Sequence, residues 1–301
     1  MGLFDKIKGL FGSGSSGGVS GLTIDDLAQR LDMPVERLEG VEISYHSFTV
    51  PKSNGHQRRI TAPDDKLKQV QRAILKRLLN KLAVHPNATG FRKGYSVVSN
   101  ARLHVGSEVI VKLDIRNFFE STKINRVNKY FKFIGWDRKT ANLLTELTTY
   151  KGGLPQGAPT SSALSNLLNY KLDSSLTTLA KKKGARYSRY ADDMTFSLDG
   201  SDSKVINSII WGAESALHDL GYRLNNRKTK VIRKHRQQRV TGLVVNEKVA
   251  LPRKTRKLIR AIEHSQQNGR PSTHSADQLR SLKAYQAMVE KQGEDGELDE
   301  G

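Results

Sequence analysis

Asp192 and Asp193 stand side by side between two β-prone runs, Ala185 to Tyr190 and Met194 to Leu198. A hairpin built from those runs carries both acids at its turn. Like charges a few ångströms apart repel, and a proton or a bound cation must relieve the strain. Asp is also a common turn residue, so a solvated Asp-Asp turn is the alternative reading. The choice falls to a segment upstream. Val109 to Ile115 has the composition of a buried strand, with Asp114 near its C-terminal end. A carboxylate in that position is costly to bury without a partner. If the strand lies beside the hairpin, Asp114, Asp192 and Asp193 form a cup of oxygen ligands for hard cations. Mg²⁺ suits such a cup. Two ions there can clamp the attacking and leaving oxygens of an in-line phosphoryl transfer.

Tyr190-Ala191-Asp192-Asp193, the strand carrying Asp114, and Leu154-Pro155-Gln156-Gly157 between them resemble the palm of reverse transcriptases, in that family's order. Asn100-Ala101-Arg102-Leu103-His104 and Val240-Thr241-Gly242 resemble hallmark blocks of bacterial retron reverse transcriptases. The resemblance runs from about Leu22 to the basic segment after Leu251. It implies an α+β fold of right-hand polymerase architecture: fingers, a palm whose antiparallel sheet is backed by helices, and a small helical thumb. It also implies RNA-directed DNA polymerase activity, with Asp114, Asp192 and Asp193 as catalytic residues holding two Mg²⁺ ions, Mn²⁺ being the alternative.

The resemblance assigns further roles residue by residue. Arg58 and Arg59 match the basic residues that hold the incoming triphosphate, and guanidinium forks suit phosphate. Phe119 matches the bulky ring set against the nucleotide's sugar, where a 2′-hydroxyl would clash. Phe118, pointing the other way along an extended chain, is expected to fill the core. Gln156 is expected on the sugar and base side of the dNTP, with Gly157 allowing close backbone approach. A lysine of the segment after Leu224 is expected to assist pyrophosphate departure; between Lys228 and Lys230 the choice leans to Lys228. Asn100 and His104 would share a face if that stretch is helical, and their block is expected to position nucleic acid or to shape the palm. Thr241 and Gly242 fall in the primer-holding region.

The 301-residue chain is long enough for two or three subdomains. Its formal net charge of +20 favours a polyanionic partner, although a membrane surface would also attract it. The absence of cysteine excludes disulfides and thiolate metal sites and fits a cytoplasmic location. No apolar run approaches a membrane span, and no signal peptide is visible.

Along the chain, residues 1–21 are an amphipathic segment (Leu3, Phe4, Ile7, Leu10, Phe11) with a Gly/Ser linker. This is either a frayed tail or a docking peptide for a further subunit, a partner or a membrane. Residues 22–105 are expected as an N-terminal helix capped by Thr23 and the fingers: a hairpin (Tyr45–Val50, Gln57–Ile60) and a helix striped by Leu67, Val70, Ile74, Leu78 and Leu82. Gly90 to His104 has a loop-like, polar composition. Residues 106–239 are expected as the palm. Its helices carry Leu164, Leu167, Leu168 and Leu172 on one stripe, and Val205, Ile206, Ile209, Ile210, Ala213 and Leu217 on another. Residues 240–292 are expected as a hairpin turning at Asn246-Glu247 and a basic thumb. Arg253, Lys254, Arg256, Lys257 and Arg260 form a single-signed helical stripe there, suited to nucleic-acid phosphates. Residues 293–301 form an acidic, disordered tail.

A retron enzyme implies a structured non-coding RNA as template, dNTPs as substrates, and a branched RNA–DNA product primed from a guanosine 2′-hydroxyl. Anti-phage defence with a separate effector protein follows from the same resemblance. No room is expected for an endonuclease, integrase or RNase H domain, which leaves RNA removal to a host RNase H. Two other readings stay open: a bacterial defence polymerase making untemplated DNA, and a catalytically silent RNA-binding scaffold.

Overall fold

The structure, a computed structural model, describes residues 21–51, 55, 57–268 and 274–294. The N-terminal apolar stripe lies outside the described residues; of the tail expected over residues 293–301, Gly293 and Glu294 end a helix and the rest lies outside them too. The fold is mixed, with helices in the order α1 (Ile24–Leu31), α2 (Val35–Glu39), α3 (Asp65–Arg77), α4 (Val97–Arg102), α5 (Phe118–Ser121), α6 (Ile124–Phe133), α7 (Arg138–Thr148), α8 (Ser161–Leu168), α9 (Tyr170–Lys182), α10 (Ser203–His218), α11 (Arg253–Gln267) and α12 (Ala276–Glu294). Interleaved with them are the strands β1 (Tyr45–Pro51), β2 (Gln57–Pro63), β3 (Val109–Asp114), β4 (Ala185–Tyr190), β5 (Asp193–Leu198), β6 (Lys230–Arg233), β7 (Arg239–Val240) and β8 (Leu243–Val244).

The chain divides into two compact units, each discontinuous in sequence. The first holds the described residues up to Pro86, with Ile115–Ser174 and Leu217–Arg223. The second holds Asn87–Asp114, Ser175–Ala216 and the described residues from Leu224 onward. The expected segments 22–105 and 106–239 are therefore each shared between the two units.

In the first unit, local signals start the helices and apolar stripes bury them. The Thr23 amide donates to Asp26 Oδ2 at 2.7 Å, which caps α1 as a shortened capping box. Asp64 caps α3 by accepting from the Leu67 amide at 2.9 Å. Leu67, Val70, Ile74, Leu78 and Leu82 are all buried, and they share one core with Leu27, Leu31, Phe131, Leu144 and Leu164. The second leucine stripe is split. Asn169 separates α8 from α9 and donates its side-chain amide to Ser165 O at 2.8 Å and Tyr222 Oη at 3.1 Å, so Leu172 belongs to the next helix.

The second unit is built on a four-stranded antiparallel sheet in the order β4-β5-β3-β6. Val109, Val111 and Leu113 alternate toward one face and are fully buried, as are Met194 and Phe196. Ile110, Lys112 and Asp114 take the other face. A separate core joins Val98 and Ala101 of α4 to Val240, Leu243, Ile259, Ile262, Leu279 and Val289.

The stretch from Gly90 to His104 contains a helix. Ser96 caps α4, accepting from the Val98 and Ser99 amides at 3.2 Å each. The hairpin after residue 238 also departs from expectation. β7 and β8 turn at Thr241-Gly242, whose φ angles of 47° and 87° are left-handed and match the twist of a tight two-residue loop. Asn246-Glu247 lies instead in a second, wider turn closed by the bridge between Val244 and Ala250.

Candidate polymerase active site

Strand pairing brings the acidic residues of the second unit together. Asp114, the last residue of β3, is the direct cross-strand partner of Asp193, the first residue of β5. Side chains of such a pair share a face, with Cβ atoms roughly 4.5–5.5 Å apart. Asp193 also pairs with Tyr190 of β4, which leaves Ala191 and Asp192 as the turn. Ala191 has φ 59°. A left-handed backbone costs a non-glycine residue about 1–2 kcal/mol, and such strain persists where its surroundings enforce it.

The electrostatics of this cluster show too little positive charge. Burial, then the charges of Asp193 and Asp114, push the Asp192 carboxyl up to about 6. Burial also raises Asp193, with Lys112 opposing. Asp114 is only 3% exposed. Its Oδ2 accepts from Lys228 Nζ at 2.6 Å and its Oδ1 from Asn225 Nδ2 at 2.9 Å. Burial pulls the Lys228 ammonium down; its hydrogen bond to Asp114 and the charges of the three aspartates outweigh that pull and hold it above its usual value.

Among the described residues no three acidic or histidine side chains stand as a closed metal-ligand set. Both Asp114 carboxylate oxygens already accept from neighbours, Oδ2 from the Lys228 ammonium and Oδ1 from Asn225. The donor chemistry nonetheless fits a hard divalent cation: anionic oxygens, partly buried, in excess of nearby positive charge.

Lys230 of β6, the other lysine considered, pairs in register with Lys112 of β3 and is exposed. Asn225 was not singled out from sequence. Its amide also donates to Asp114 O at 2.8 Å, and only the pairing of distant segments reveals it.

Asn100 and His104 are 1% and 0% exposed, so neither side chain reaches a surface where nucleic acid could meet it. Of the two roles expected for their block, their contacts fit shaping the palm. Burial, helped by Arg186, lowers the His104 imidazole to about 3 and keeps it neutral. Thr241 is half-buried and donates its hydroxyl to Val97 O at 2.7 Å. Arg253, Lys254, Arg256, Lys257 and Arg260 are all exposed along α11, as a phosphate-binding stripe requires.

The nucleotide-binding candidates lie in the first unit. Arg58 and Arg59 are exposed on β2, opposite Val50 and Thr49. Being consecutive in a strand, they project to opposite faces of the ribbon, so one face carries one guanidinium. Gln156 is half-buried and its carbonyl accepts from the Thr61 amide at 2.7 Å. Gly157 has φ 134°, and a Cβ there would sit 2.8 Å from Ile60 Cγ2 and 2.9 Å from Thr61 O. The close approach that glycine permits is thus onto β2. Phe118 is 4% exposed and Phe119 half-buried, their ring centroids 5.3 Å apart. They sit on the short helix α5 rather than an extended strand, so their different burial comes from helical geometry.

The family described as reverse transcriptase (RNA-dependent DNA polymerase) matches residues 50–245. Among curated relatives, the retron Mx162 reverse transcriptase of Myxococcus xanthus is 35% identical over 82% of this chain and 58% of its own length. The retron Ec86 reverse transcriptase of Escherichia coli is 35% identical over 80% of this chain and 77% of its own. The chain spans less than two thirds of the length of the Myxococcus proteins it matches. A solved telomerase from Candida albicans overlaps with a TM-score of 0.48 at 12% identity, covering 76% of this chain and 52% of that one. No described helix is long and apolar enough to cross a membrane. With its antiparallel sheet and flanking helices, the chain has the α+β fold of a right-hand polymerase and belongs to the reverse transcriptase family, among the retron reverse transcriptases.

Proposed function

We infer that this chain is an RNA-directed DNA polymerase of retron type, copying a structured non-coding RNA into DNA. The observation that carries this reading is the register that sets Asp114 against Asp193, with Asp192 beside them, in a chain of this family. Reverse transcriptases use divalent metal ions. Here Asp114, Asp192 and Asp193 would hold two Mg²⁺, or Mn²⁺ in their place. When bound, the ions lower the pKa of the primer hydroxyl and offset charge on the phosphates.

The remaining roles belong to the chain's own residues. An arginine of the Arg58/Arg59 pair grips the triphosphate, and Gln156 orients the sugar and base. Phe119 excludes a 2′-hydroxyl by its bulk. Lys228, held protonated by the aspartates, carries a proton on Nζ for the departing pyrophosphate. Thr241 and Gly242 belong to the turn that steadies the primer. The α11 cations follow template and product phosphates without reading sequence.

The retron type implies priming from a guanosine 2′-hydroxyl and a branched RNA–DNA product. It also implies a host RNase H, an anti-phage role beside a separate effector protein, and a cytoplasmic location. Residues 1–21 are the candidate segment for oligomer or partner contacts.

Asp192→Ala tests the core of this reading: DNA synthesis on the co-purifying RNA should vanish while RNA binding in a gel-shift titration stays within a few-fold of wild type. Synthesis at the wild-type rate would remove the aspartates from the chemistry. Sequencing the product separates a templated copy from untemplated DNA, and a variant-independent lack of product would favour a silent RNA-binding scaffold.

A further inference from the structure

Asn100 and His104 are buried polar residues without access to nucleic acid, so the destinations of their hydrogen bonds define what they do. Both lie in the second unit, on α4 and the turn that follows it. Asn100 Oδ1 accepts from Thr89 Oγ1 at 2.7 Å. The Thr89 amide in turn donates to Arg189 O at 2.9 Å, and the Arg189 amide donates to Asn87 O at 2.8 Å. Residues 87–89 therefore run parallel along β4, the edge strand of the sheet, up to the residue before Tyr190. Gly90 follows so closely against the turn that a Cβ would lie 2.7 Å from Ala191 N. Only a glycine lets the backbone lie this close to Ala191, the residue with the left-handed backbone.

His104 acts at a second point. Its Nε2 lies 2.7 Å from Ser188 Oγ on β4, and its Nδ1 lies 2.8 Å from Ser197 Oγ on β5. One ring thus bridges both strands of the hairpin. Serine hydroxyls donate or accept as needed, so a neutral imidazole satisfies both contacts in either tautomer.

We propose that Asn100, acting through Thr89, and His104, acting through Ser188 and Ser197, form a two-point clamp that fixes the hairpin presenting Asp192 and Asp193. They are positioning residues for phosphoryl transfer rather than ligands of RNA or DNA. The catalytic consequence rests on the polymerase reading above. Reacting groups tolerate little displacement: a shift of ~1 Å costs on the order of 10²-fold in rate.

The test uses the full chain with its bound RNA and compares Thr89→Val, Thr89→Ser, Asn100→Ala, His104→Gln and the Thr89→Val/Asn100→Ala double variant. Amide hydrogen exchange across residues 186–198 should speed up in T89V, N100A and H104Q. The maximal single-nucleotide extension rate should fall about 10–100-fold in the same three. KM for dNTP and affinity for RNA should remain within about twofold. T89S, which keeps the hydroxyl, should restore the rate, and the double variant should be no slower than the slower single. Wild-type rates and exchange in T89V and H104Q would overturn the clamp. So would a rate loss that merely tracks lost RNA binding. If the wild-type protein made no DNA, the polymerase reading would fail, while the exchange data would still judge the clamp.

Discussion

Phe119 is half-buried against the core of the first unit, and its neighbour Phe118 is buried, stacked against Tyr222. A ring fixed on one side and open on the other can act as a wall. Phe119→Ala should therefore let ribonucleotides be incorporated, raising the rNTP/dNTP ratio of kcat/KM by about 10-fold or more in single-nucleotide extension. Unchanged discrimination would take Phe119 out of that role. His104 makes a different kind of prediction. Its folded value of about 3 lies below the ordinary 6.5, so the unfolded chain binds the extra proton between those values. Stability is then fully present above pH 6.5 and is lost as pH falls toward 3, by roughly 3–5 kcal/mol. Urea unfolding across that range should show the slope, and His104→Gln should flatten it. The sequence singled out both residues, His104 as one of a block expected to position nucleic acid or to shape the palm. It could not show that His104 faces two serines, because Ser188 and Ser197 meet it only through strand pairing.

At the scale of elements, capping residues and apolar stripes were readable because they act locally. Thr23 caps α1 and the Leu67–Leu82 stripe is buried as its spacing predicts, although α3 ends at Arg77 and Leu82 follows a separate 3-10 turn. The α4 helix was missed because it is only six residues long, and its cap pairs Ser96 with Ser99 rather than with an acid. The Thr241-Gly242 turn lost out to Asn246-Glu247 because Asn is the commoner turn residue. Asn246 is instead occupied in bonding, its Nδ2 donating to Lys234 O and Arg236 O. The loop of Gly157 gives an element-level test. Adding a methyl at φ 134° against Ile60 and Thr61 must push the loop off β2. Gly157→Ala should lower stability by about 1–3 kcal/mol and raise KM for dNTP more than it lowers kcat. Chemical denaturation and steady-state extension measure the two effects.

Across the whole molecule, a chain of net charge +20 keeps a knot of carboxylates in its second unit. The surplus suits a polyanion, and the knot suits what neutralises polyanions during chemistry. The sequence exposed the three aspartates and their order. It did not expose Asn225 or the occupied state of Asp114, because both depend on a segment more than a hundred residues away folding back onto β3. That occupancy has a further effect. If the aspartates hold metal as proposed, Lys228 is a built-in stand-in ion, and taking up a divalent cation would be an exchange rather than the filling of a void. The protein should tolerate chelation: its melting temperature in EDTA should stay near that in magnesium. Lys228→Met removes the stand-in and leaves Asp114 without its cation, at a cost of roughly 1–3 kcal/mol. That variant should melt on the order of 5 °C lower in EDTA and recover when magnesium returns, which makes an enzyme indifferent to metal starvation into one that depends on supply for its shape.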